Sequence, residues 1–90
     1  MSTPLRGGNI EEMQQLAKIF SANAGKLNGV ISDLNSRTVD SDRIWTGPAA
    51  DRFRSAWSEA RASFEKMRQA LEEASTAVTK SAQNIETATR

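Results

Sequence analysis

Chemistry in a chain of 90 residues has to come from side chains that can move a proton, attack a carbon or hold a metal. This chain has no Cys and no His. That removes thiolate and imidazole ligands, thiol nucleophiles, disulfides and Ser-His-Asp arrangements together. Carboxylate pairs remain, and Glu72 and Glu73 are adjacent. Neighbouring positions on a helix diverge by about 100°, so these two acids cannot act on one bond, and no pocket-forming element surrounds them. The sequence therefore predicts no enzyme, no small-molecule substrate, no metal and no cofactor. The distinctive local chemistry is Trp45-Thr46-Gly47, followed by Pro48. Gly47 can take backbone angles that a side chain forbids, and Trp45 offers a large flat surface with one N–H donor. Such an indole can plug the end of a helical structure, present a recognition surface, or do both.

Charge names no partner. Lys and Arg total 12 against 11 Asp and Glu, a net of +1, too little to capture nucleic acid or anionic lipid by bulk attraction. Arg52, Arg54, Glu59, Arg61, Glu65, Lys66, Arg68, Glu72 and Glu73 mix both signs, as a solvated helix face does. No aromatics interleave with the basic residues, which argues against a nucleic-acid groove, and the mixed signs argue against a membrane-surface helix. Residues 1–9 lack the apolar run of about 7 to 15 residues of a cleavable leader. Nor is there an uncharged apolar window of about 18 residues to span a bilayer.

Two helices must position the Trp45 segment. Asn9 and Glu12 have the spacing of a capping box, so a first helix should start near Ile10. Ile10, Met13, Ala17, Phe20, Ala24, Leu27, Ile31 and Leu34 then alternate spacings of 3 and 4. The pattern fades through Ser36, Thr38 and Asp40, placing the helix end between Ser36 and Asp42. Gly25 and Gly29 lie off this seam, as weak spots on a wet face. Pro48 suits the first turn of a second helix, and Asp51 faces the positive end of its dipole. Its seam reads Ala50, Phe53, Trp57, Ala60, Phe64, Met67, Leu71, Ala74, Val78, Ser81, Ile85 and Ala88. The run from Pro48 to Ala88 would be about 60 Å long.

The expected organisation is a single all-α domain: residues 1–8 disordered, helix one over about 9–42, a W-x-G turn over 43–47 and helix two over about 48–88. The short connection makes the pair an antiparallel hairpin. Both helices carry a further apolar or small row beside the seam. Helix one adds Leu16 and Val30, with Ile19 further round; helix two adds Ala49, Ala56, Ala70 and Ala77, lined up at multiples of seven. A hairpin alone leaves part of this broad stripe in water, which predicts that two hairpins pack as a dimeric four-helix bundle. The expected hairpin or dimer interface comprises Met13, Leu16, Phe20, Leu27 and Ile31 of helix one. From helix two it takes Phe53, Trp57, Phe64, Met67, Leu71 and Val78.

Chain length, the central Trp45-x-Gly47 step, the following Ala49, Ala50 and Phe53, and the long helix after Pro48 together resemble the WXG family. These are the early-secreted-antigen-like (Esx) helical hairpins of type VII (ESX) secretion systems, and the similarity covers the whole chain. The resemblance implies a four-helix-bundle dimer exported folded without a cleaved leader, formed with itself or with a sister WXG protein. It implies recognition by the membrane-associated secretion ATPase through a bipartite signal, one half the W-x-G turn and the other a C-terminal Y-x-x-x-D/E segment. Only Trp45 and Gly47 match that signal. There is no Tyr in the chain, so a partner supplies the second half, another element replaces it, or the chain is a shortened form.

The function expected from residues and resemblance is that of a non-enzymatic type VII substrate or co-secreted partner, cytoplasmic before export and secreted afterwards. The alternative is a cytoplasmic coiled-coil adaptor or chaperone that uses the same Ala-rich stripe to hold a larger helical protein.

Overall fold

The computed structural model describes residues 8–89. Of the segment expected to be disordered, residues 1–7 lie outside the described residues. Gly8 is described: a Cβ there would lie 2.7 Å from Met13 Sδ and 3.5 Å from Ile85 Cδ1. The chain therefore enters the hairpin tightly against both helices.

Helix α1 runs Ile10–Asp40, a short 3-10 turn covers Ser41–Arg43, and helix α2 runs Pro48–Thr89. The Asn9 side chain starts α1 by accepting the Glu12 N–H at 3.0 Å, and Glu11 and Glu12 lie at the positive end of its dipole. Helix α1 persists to Asp40, past the polar run at Ser36. Its last turn closes when both the N–H and the Oγ of Ser41 donate to the Thr38 carbonyl. At the other side of the turn, the Gly47 carbonyl accepts the Asp51 N–H at 3.0 Å, and Pro48 occupies the first helical position, where no donor is needed.

The helices form an antiparallel hairpin measuring 67 × 19 × 16 Å, with no strands among the described residues. Two cross-helix hydrogen bonds mark the register. Ser75 Oγ donates to the Ala17 carbonyl at 2.7 Å, and Trp57 Nε1 donates to Asn35 Oδ1 at 3.1 Å. From Ala17 to Asn35 is 18 residues, and from Ser75 back to Trp57 is also 18.

Helix α1 turns Ile10, Met13, Ala17, Phe20, Ala24, Leu27 and Ile31 toward α2, as its periodicity predicts. Beyond Ile31 the seam steps to Asn35 and Thr38, while Leu34 turns outward. The cause is the Trp57 indole, whose half-buried N–H needs an acceptor that Asn35 supplies and a leucine cannot. Helix α2 keeps Ala50, Trp57, Phe64, Leu71, Val78 and Ile85 on the inner side. Its second inner row departs in part from the expected one. Ala60 and Ala74 are half-buried as expected, but Arg54, Arg68, Ser75 and Ala82 also lie inward, whereas Phe53, Met67, Ser81 and Ala88 are exposed.

The departure has a packing reason. The most deeply buried residues are Ala17, Ala24, Ile31, Ala50 and Ala82, so the backbones approach closely along a mostly alanine line. At the middle and open end that approach leaves room for Ser75 and Ala82, not for Phe or Met. No large side chain and no polar or charged residue is fully buried among the described residues. The hairpin's own interior is therefore thin.

Candidate functional site

Trp45 lies in the connection between the 3-10 turn and α2, reached by a backbone held from within. The N–H groups of Ile44 and Trp45 both donate to the Ser41 carbonyl, at 3.0 and 2.9 Å. Gly47 has φ +111°, a conformation that L side chains rarely adopt, and no neighbour fills the space where its Cβ would be. Glycine is needed there for its backbone angle and not for a close approach. The Trp45 ring is 42% exposed and packs obliquely on Phe53, with centroids 5.5 Å apart. Ile44 beside it is 74% exposed. The end of the hairpin thus shows an open apolar tip of Ile44, Trp45 and Phe53.

Charged groups border the tip. Arg54 contacts Ser41, Asp42, Trp45 and Asp51. Arg43 pairs with Asp40 at 2.8 Å in full exposure, and that hydrogen bond raises its guanidinium above the ordinary value. Arg54 belongs by sequence to the solvated charges of α2, yet it lies at the inner edge. The signal that identifies it is its position, four residues after Ala50 and three before Trp57. Asn35 carries no such signal, because a polar residue after an apolar row reads as the end of the row.

The long sides of the hairpin differ. On one, a cleft between the helices is lined by Gln14, Ala17, Lys18, Ser21, Ser75 and Thr79. The pairs of Arg68 with Glu65 and Glu72, at 3.5 and 2.8 Å, lie on the same α2 rows, and this side is polar. On the other, a cleft is lined by Ile19, Phe20, Asn23 and Leu71. Leu16, Val30 and Leu34 of α1 are exposed along it, and Phe53 and Met67 of α2 lie on the matching flank, 46% and 53% exposed. In an antiparallel pair equivalent heptad rows of the two helices share a side, so these residues form one apolar face with the alanine row of α2. Ala49, Ala56, Ala70 and Ala77 of that row are all exposed.

The expected interface residues therefore divide. Met13, Phe20, Leu27, Ile31, Trp57, Phe64, Leu71 and Val78 line or border the seam between the helices. Leu16, Phe53 and Met67 belong to the open face. Among the described residues no cluster of acids is placed to hold a metal, and no helix is long and apolar enough to cross a membrane.

Comparison with known proteins agrees with this architecture. Residues 8–89 match the family model WXG100, described as proteins of 100 residues with WXG. No curated protein matches the chain. Among solved structures it is similar to EsxA of Geobacillus thermodenitrificans, at 26% identity over 89% of each chain with a TM-score of 0.83. It also superposes on the secreted protein EsxB of Bacillus anthracis, at 20% identity over the full length of both chains with a TM-score of 0.82, a likeness of fold. With the Trp45-x-Gly47 turn at the centre of a matching helical hairpin, the chain belongs to the WXG100 family, the small Esx-like proteins associated with type VII secretion.

Proposed function

We propose that this protein is a non-enzymatic substrate or co-secreted partner of a type VII secretion system, exported as a folded dimer. The dimer is a four-helix bundle formed with a second copy or with a sister WXG protein. In it the face carrying Leu16, Val30, Phe53 and Met67 is covered by the equivalent face of the partner. The observation that carries this reading is that largely apolar face, open to water beside a hairpin whose buried line is four alanines and one isoleucine. A protein that exposes leucine, valine, phenylalanine and methionine on one side while burying alanine has its larger hydrophobic gain still to make.

The proposed docking element for the membrane-associated ATPase is the tip at Trp45 and Gly47. Support comes from the half-open indole and from a glycine whose positive φ sets the direction of the chain leaving it. Export from a host carrying the secretion system tests the reading. Trp45→Ala and Gly47→Arg are expected to abolish appearance of the protein in the medium while helical circular dichroism stays near wild type. Secretion of both variants at the normal level overturns the role given to the turn. Retention of the wild-type protein in the cytoplasm, bound to a larger helical partner, overturns the export reading and favours an adaptor.

A further inference from the structure

We infer that Arg54 is a positioning residue, a clasp whose guanidinium holds the turn and thereby fixes how Trp45 is presented. The inference deepens the function proposed above, while the clasp itself stands on its contacts alone. The turn has little else to order it. Between the end of the 3-10 segment and Pro48 its backbone is tied through the Ser41 carbonyl at one end and through the bond from Asp51 N–H to the Gly47 carbonyl at the other, and Gly47 adds conformational freedom.

The guanidinium of Arg54 reaches this segment from α2. Its Nε donates to Ser41 Oγ at 3.2 Å and lies 3.1 Å from Asp42 Oδ1, so it holds the 3-10 turn. Its Nη2 donates to the backbone carbonyl of Trp45, and its Nη1 lies 3.6 Å from Asp51 Oδ1. One planar fork therefore joins the end of α1, the tryptophan backbone and the start of α2. A lysine ammonium on a flexible stem cannot serve these directions at once.

Arg68 provides the internal contrast. It lies on the same inner row as Arg54, and the two side chains are 20% and 21% exposed. Its partners, Glu65 and Glu72, are both within one turn of it on α2. Equal withdrawal from water thus serves a local ion pair at one site and a long-range junction at the other. The Asp42 and Asp51 side chains are 76% and 79% exposed, which leaves them well screened by water. The bond to the Trp45 carbonyl is the part of the junction that acts on Trp45 directly.

Amide hydrogen exchange by NMR on the full chain tests this with Arg54→Gln and Arg54→Lys. The N–H groups of Ile44 and Trp45 report on the turn, and those of Ala24 and Leu71 on the helices. Exchange at Ile44 and Trp45 is expected to accelerate about tenfold or more in both variants, while Ala24 and Leu71 stay within about twofold of wild type. A merely structural role would move all four together. Unchanged exchange at Ile44 and Trp45, or uniform acceleration along both helices, overturns the clasp. Should Arg54→Gln fail to fold, Arg54→Lys, which keeps the charge and most of the stem, gives the same reading. An export assay on the same variants separates the two claims. A loosened turn with normal export leaves the clasp standing and overturns recognition through Trp45.

Discussion

The two long sides of the hairpin are built from the same pair of helices and end up with opposite characters. On the polar side, Ser75 donates to the backbone of α1, Arg68 pairs along α2, and Gln14 and Lys18 face water. On the other, Leu16, Val30, Leu34, Phe53 and Met67 are exposed. The molecule divides its large apolar side chains between two surfaces. Phe20, Leu27, Trp57, Phe64 and Leu71 are half-buried in the seam beside the alanine line, and a second bulky set is left open on one side.

That contrast can be broken most forcefully on the apolar side. Leu16→Asp combined with Met67→Asp is expected to weaken self-association or pairing with a sister chain by about 100-fold or more, read by sedimentation equilibrium. Unaltered association would mean that the open face is not the one covered. A smaller effect is expected inside the seam. Trp57→Phe leaves the Asn35 amide unpaired and should lower unfolding stability by about 1–2 kcal/mol in urea melts, with Phe64 retaining its aromatic neighbour.

On the polar side, Ser75→Ala removes only the bond to the Ala17 carbonyl. It should cost about 1 kcal/mol without changing oligomeric state, as checked by parallel melts and light scattering. Gly25→Ala acts in the other direction. Nothing lies within 4 Å of a Cβ at Gly25, so the gain should be somewhat under 1 kcal/mol, visible as a raised melting temperature. Arg37→Ala breaks an exposed pair with Asp33 and sets the floor of the series. Its expected effect is about 0.3–0.5 kcal/mol, and it should vanish in high salt.

Much of this architecture was legible from the order of residues. The Asn9 start, the Pro48 start and the alternation from Ile10 to Ile31 are local signals, and local hydrogen bonding and burial answer to them directly. The row of Ala50, Trp57, Phe64, Leu71, Val78 and Ile85 was equally plain. Which flank completes that row was not, because a 3-4 pattern continues on either side of it. Hydrophobicity favours Phe53 and Met67; the close alanine contact of the two backbones favours Ser75 and Ala82. That choice depends on the distance between the helices, a tertiary quantity that periodicity does not carry. For the same reason the turn at Trp45 and Gly47, a local feature, could be placed from the chain, whereas the positions of Asn35 and Arg54 could not. Their partners lie 22 residues away for Asn35 and up to 13 away for Arg54.

The thin interior also has a consequence for the conditions the protein tolerates. Among the described residues no ionisable group is fully withdrawn from water, and the chain has neither imidazole nor thiol. Mild acidification therefore finds no neutral histidine to charge, and a change from reducing to oxidising surroundings finds no sulfhydryl to couple. The inner line of alanines is chemically mute, so the same packed rod can exist on either side of a boundary across which acidity and redox poise differ.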